Sequence, residues 1–137
     1  MQIKEIRVLC GPNYWSVRYH QLVVMKLDLE ELEYRPSNEI EGFAARLEQL
    51  LPSLYHHFCS EGHPGGFFER VREGTWMGHI IEHVALEMQS LAGMACRFVR
   101  TRGTGEEGVY FVVIEYETEE AGTYVAGAAV KLGEAII

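Results

Sequence analysis

Residues 73–93 read EGTWMGHIIEHVALEMQSLAG, and the fold turns on what this stretch forms. Met77, Ile80, Ile81, Val84, Met88 and Leu91 recur at helical spacing, which predicts an amphipathic helix with those residues on the core side. Thr75 suits an N-cap, and Gly93 suits the left-handed position that follows a last turn. At about 100° per residue, His79, Glu82 and His83 gather on the opposite side. The core side needs a sheet or other helices to pack against, so the neighbouring segments decide the architecture.

Working outward, 95–100 (ACRFVR) alternates as a strand, 103–108 has turn chemistry, and 109–116 (VYFVVIEY) is an apolar strand. A hairpin is expected there. Thr118 or Glu119 then opens a last helix carrying Tyr124, Val125, Ala128, Ala129, Leu132 and Ile136. Towards the N-terminus, 3–10 and 22–29 read as two strands that pair antiparallel across Gly11-Pro12-Asn13. Tyr14 and Trp15 are expected to plug the end of the core. Ser37 or Asn38 caps a helix from about Glu39, striped by Phe43, Leu47, Leu50 and Leu51 and stopped by Pro52. Residues 53–68, with glycines at 62, 65 and 66, read as a loop. The order β-β-α-α-β-β-α predicts one α+β domain over 1–137, with about four mainly antiparallel strands and three helices packed on one face.

The chain has 137 residues, 47% of them hydrophobic, with a formal net charge of −8. That balance excludes a generic nucleic-acid binder, which needs a basic face for phosphate. It favours a cationic or zwitterionic partner. Three cysteines without a CxxC pair point to a reducing, cytoplasmic setting. The charged opening residues do not read as a signal peptide. No apolar run approaches the roughly 20 residues that span a bilayer, so no membrane partner is expected.

HIIEH, 79–83, is an H-x-x-E-H pattern of inverted-zincin type. Histidines four apart lie one helical turn above each other, so both rings can reach one zinc ion. Glu82 between them can serve as general base towards water. A solvated outer face accounts for the same spacing, and spacing alone favours it. Zinc also needs a third protein ligand. Glu87 is excluded, because ligands at i, i+4 and i+8 of one helix spread over about 12 Å while zinc bonds are near 2 Å. Glu115, closing a strand, and Glu119, opening the last helix, are the candidates, both in the run EYETEE.

Other groups carry weaker signals. Cys59 and His63 form a C-x-x-x-H pair that suits a second metal site but more readily reads as a loop cysteine and a surface histidine, and His56 and His57 read the same way. Arg97, Arg100 and Arg102, with Arg70 and Arg72, suit ligand carboxylates or pairing with the chain's own glutamates. The segment 11–16 lacks the glycine spacing and lysine of a phosphate loop, and no nucleophile elbow appears.

GPNYWS (11–16), VMKLDLEEL (24–32), PSNEI (36–40), ERVREGTWMGHIIEHVALEMQ (69–89) and GVYFVVIEYETEEAG (108–122) together resemble the N-terminal domain of cyanophycin synthetases. The resemblance covers nearly the whole chain. It implies a parent enzyme that polymerises aspartate and arginine with ATP and Mg, through an ATP-grasp domain and a Mur-ligase-like domain that follow this one. Those domains would be its partners, and the ligase sites would lie outside this chain. The resemblance further implies that this domain binds and tethers the growing polymer, an aspartate backbone bearing arginine side chains. The acidic balance suits such a polymer, and Arg70, Arg72, Arg100 and Glu117 are the residues expected to touch it. In some members the domain resembles a zinc metallopeptidase that trims polymer into primers, with HIIEH at its site. A docking or homo-oligomerising module is the remaining alternative.

Overall fold

The computed structural model describes residues 1–18 and 20–137. Four strands, β1 (Gln2–Cys10), β2 (Gln21–Asp28), β3 (Val99–Gly103) and β4 (Val109–Glu115), form one sheet in the order β1-β2-β4-β3. Every pairing is antiparallel. The expected pairing of the first two strands and the expected hairpin of the last two are both present, but the hairpin's first strand runs over Val99–Gly103 and not over 95–100. A bulge between Ile3 and Glu5 interrupts the β1–β2 register. Four helices, α1 (Phe43–Leu50), α2 (Gly66–Glu73), α3 (Met77–Leu91) and α4 (Glu119–Ala135), complete the α+β fold together with short 3₁₀ turns.

One face of the sheet meets the helices. Val23, Met25 and Leu27 of β2 and Val112 and Ile114 of β4 join Phe43, Leu47, Phe67, Phe68, Val71, Ile80, Ile81, Val84 and Ala129 in a single core. Each fully buried aliphatic or aromatic side chain of this kind stabilises the fold by roughly 1.5–3 kcal/mol. The other face is also covered: Leu22, Val24 and Val113 lie beneath Leu9, Trp15, Phe98 and Phe111. Trp15 packs on Phe111 at 5.4 Å between ring centroids. Trp15 therefore covers the outer sheet face rather than a core end, and Tyr14 is 82% exposed.

Three expectations are corrected. The region 53–68 is not a plain loop. It holds 3₁₀ turns at Pro52–His56 and Cys59–Glu61 and the start of α2, whose Phe67, Phe68 and Val71 enter the core. Gly65, at φ +83°, provides the left-handed residue before α2, so the glycines that suggested a loop are the helix's entry. The helix expected from Glu39 begins as a 3₁₀ turn at Ser37–Glu39, and α1 follows from Phe43. Most consequentially, the polar side of α3 is not solvated. Glu82 and His83 are each 7% exposed, and His79 is half-buried. A helix so enclosed needs partners for every polar group on it.

Candidate metal centre

The partners come from three directions. α3 supplies His79, Glu82 and His83 on consecutive turns. The β3–β4 register sets Thr101 opposite Val112 and Val99 opposite Ile114, and this puts Thr101 and Val99 on the helix-facing side of the sheet. The 3₁₀ turn at Cys59–Glu61 brings in Cys59 from the chain preceding α2.

Cys59, His79 and His83 each offer a ligand atom, and these atoms lie within 4.8 Å of one another. Cys59 Sγ is 3.1 Å from His79 Nε2. A tetrahedral zinc with bonds of 2.0–2.3 Å places its ligand atoms roughly 3.4–3.8 Å apart, so this set needs only small shifts to close on an ion. One thiolate and two imidazoles suit zinc, and three protein ligands leave a fourth position open, as a catalytic site requires. The backbone supports this placement at a cost. Cys59 holds φ +53°, a left-handed conformation that costs an L residue about 1–2 kcal/mol.

Glu82 stands beside the donors without belonging to them. Its Oε1 lies 4.0 Å from His79 Nε2 and 3.9 Å from His83 Nε2. Its Oε2 accepts from Thr101 Oγ1 at 2.5 Å. Burial pushes the Glu82 carboxyl up to about 7, against the opposing pull of the Thr101 hydrogen bond and the Arg100 charge. Burial pushes His83 down to about 3, helped by neighbouring His79 and His57. His79 is lowered by burial and by the Arg70 charge. Both imidazoles are therefore neutral at neutral pH, the form that binds a metal.

The Nδ1 atoms face away from this space and are each engaged. His79 Nδ1 meets Thr75 Oγ1 at 2.9 Å, so Thr75 serves a histidine instead of capping α3. His83 Nδ1 meets His57 Nδ1 at 2.9 Å. The donors open into a cleft of about 530 Å³ rimmed by Arg70, Trp76 and Tyr110. A second hollow, with Arg97 and His56 on its wall, shares His83 and Val99 with the first.

The sequence-derived candidates divide accordingly. His79, Glu82 and His83 are brought together. Glu115 is not among the clustered donors: its carboxylate accepts from the backbone N–H of Arg97 and Phe98, at 2.7 and 2.8 Å, and meets His20. Those three contacts hold it at the far end of β4. Glu119 lies exposed in the first turn of α4. Cys59 takes the third position, and its sequence neighbour His63 instead pairs with Glu69 at 3.2 Å. Glu87, excluded as a ligand, is buried and bonded to His57. Arg70 stands at the cleft rim, while Arg72 is ion-paired with Glu48. Arg100, 5.6 Å from the Phe98 ring, lines a separate hollow with Trp15 and Arg18, and Glu117 is exposed beyond β4. Of these four, Arg70 is the one that lines the cleft. The sequence reasoning missed Thr75, Thr101 and Cys59 as parts of the site. Thr75 was within reach, since it lies four residues before His79. The other two depend on long-range packing.

No helix among the described residues is long and apolar enough to cross a membrane. The sequence matches the family described as Cyanophycin synthase-like N-terminal domain over residues 24–137. Across all 137 residues it is 60% identical to the cyanophycin synthetase of Trichormus variabilis and 57% identical to that of Synechocystis sp.. The chain spans 15% and 16% of the length of these two curated relatives. With a match of that extent, and with the HIIEH stretch held at a cleft between helices and sheet, the chain belongs to the cyanophycin synthase-like N-terminal domain family.

Proposed function

We propose that this chain is the polymer-handling domain of a larger cyanophycin synthetase, and that its cleft hydrolyses the polymer with zinc held by Cys59, His79 and His83. The observation that carries the hydrolytic reading is the set of one cysteine and two histidine donors within 4.8 Å, with the Glu82 carboxylate beside them. Zinc, when bound, polarises an amide carbonyl and acidifies water. The protein's own part follows from its groups. Glu82 Oε1 takes a proton from water as the water oxygen bonds to the carbonyl carbon. The C–N bond breaks, and Glu82 returns the proton to the leaving amine. Thr101 keeps the other carboxylate oxygen fixed while this happens. The hollows on both sides of His83 suit an extended chain, and so an internal cut that yields primers.

Tethering without cleavage is the second reading, and the net charge of −8 favours it, since an arginine-bearing polymer is cationic on its surface. The ATP-grasp and Mur-ligase-like partners that the resemblance implies would belong to the part of the relatives' length that this chain does not span. The test is elemental analysis of the purified chain followed by polymer cleavage. Stoichiometric zinc, cleavage by the wild type and loss of cleavage in Glu82→Gln with zinc retained are expected. Equal cleavage by the two proteins, or no bound metal, would sink the hydrolytic reading. Polymer binding that survives chelation would leave the tether standing.

A further inference from the structure

Behind the cleft a chain of polar contacts reaches His83 through two residues to which the proposed chemistry gives no role. Neither His57 nor Glu87 lines the cleft of Cys59, His79 and Glu82. Glu87, 5% exposed, accepts from Ser53 Oγ through Oε1 and contacts His57 Nε2 at 2.7 Å through Oε2. His57 Nδ1 then contacts His83 Nδ1 at 2.9 Å. Two ring nitrogens at that distance must be one donor and one acceptor. A carboxylate only accepts, so His57 Nε2 must carry the hydrogen it donates to Glu87. With both rings neutral, the lone pair of His57 falls on Nδ1, and His83 donates to it from Nδ1. His83 Nε2 is left with a lone pair, on the side where Glu82 Oε1 and the other donors stand.

We propose that Glu87 and His57 are positioning residues that fix the tautomer of His83, leaving its Nε2 as a ready ligand facing the cleft. The assignment concerns the metal-free chain; its consequence for zinc rests on the reading above. Outer-shell groups of this kind set ring orientation and ligand basicity, and removing them typically weakens metal binding about 10–100-fold. His79 differs instructively. Its Nδ1 partner is the Thr75 hydroxyl, which can donate or accept, so that contact alone does not choose a tautomer. The enforced histidine is the one tied to a buried carboxylate.

Long-range proton–nitrogen correlation spectra of the metal-free, nitrogen-15-labelled chain at neutral pH give a direct readout. His83 is expected to show the Nδ1–H tautomer and His57 the Nε2–H tautomer. Glu87→Gln keeps the shape but offers His57 a group that can donate as well as accept. Its spectra are expected to show His83 in both tautomers, and its zinc affinity, measured by competition with a chromophoric chelator, to fall about 10–100-fold. Nε2–H on His83 in the wild type would overturn the proposal, and so would a Glu87→Gln zinc affinity within twofold of wild type. Should the wild type bind no zinc, the hydrolytic reading fails, and the wild-type tautomer alone then decides this one.

Discussion

Glu82 is a carboxylate that its surroundings work against, and that conflict has a measurable pH signature. Burial raises its carboxyl from 4.5 to about 7. Between those values the folded metal-free chain holds a proton that the unfolded chain has released, so stability falls as pH rises through this window. At about 1.4 kcal/mol per pH unit, the full effect is about 3 kcal/mol. Glu82→Gln removes the ionisation but keeps an oxygen for Thr101. In urea melts of metal-free protein it should exceed wild type by up to about 3 kcal/mol above pH 7, with the difference vanishing below about pH 4.5. His83 acts with the opposite sign. Its neutral form is favoured in the fold, so its contribution is complete above pH 6.5 and is lost as pH falls towards 3. Thr101→Val removes the hydrogen bond that opposes the rise at Glu82, and the acid limb of the cleavage profile should move to higher pH.

Among the elements, α4 shows how tightly the helical layer sits on the sheet. A Cβ on Gly122 would lie 2.4 Å from Tyr116 Cβ and 3.1 Å from Val23 Cγ2, whereas one on Gly127 would meet nothing within 4 Å. Alanine removes the same backbone freedom at both sites, so space decides the sign. Gly127→Ala should stabilise by about 0.5–1 kcal/mol, and Gly122→Ala should destabilise by about 1–3 kcal/mol through overpacking; denaturant midpoints would show both. These elements also show what could be read from sequence. β1, β2, β4, the hairpin pairings, α3 and α4 were legible because their apolar residues keep a regular period, whereas β3, with alternating arginines, begins four residues later than its pattern suggests. α2 was not legible, because its eight residues begin on the second of two glycines and its aromatic pair gives no clear repeat. The site was legible only along α3, where His79, Glu82 and His83 are one turn apart. Cys59 and Thr101 lie about 20 residues before and after His79, on a 3₁₀ turn and an edge strand, and no local spacing announces either. Their arrival turns what spacing presented as an outer face into an interior one.

At the scale of the whole molecule, charge and shape act together on any long partner. An acidic chain should hold an arginine-bearing polymer chiefly through screened electrostatics. Binding by the chain, followed by co-sedimentation, should therefore weaken steadily as salt rises to about 0.5 M, where the Debye length falls to about 4 Å. Chelation should abolish cleavage without that loss of binding. The sheet order imposes a separate requirement. β1 and β3 are its edges, and open edges offer unpaired backbone groups to any passing strand. β1 carries exposed Lys4 and Arg7 beside its bulge, and β3 is only five residues long, with exposed Arg100 and Arg102. Bulges, short length and charge are the devices that keep such edges from templating fibrils. Lys4→Val with Arg7→Val should thus leave the cleft intact yet make the protein aggregate at concentrations where wild type stays dispersed, as light scattering would report.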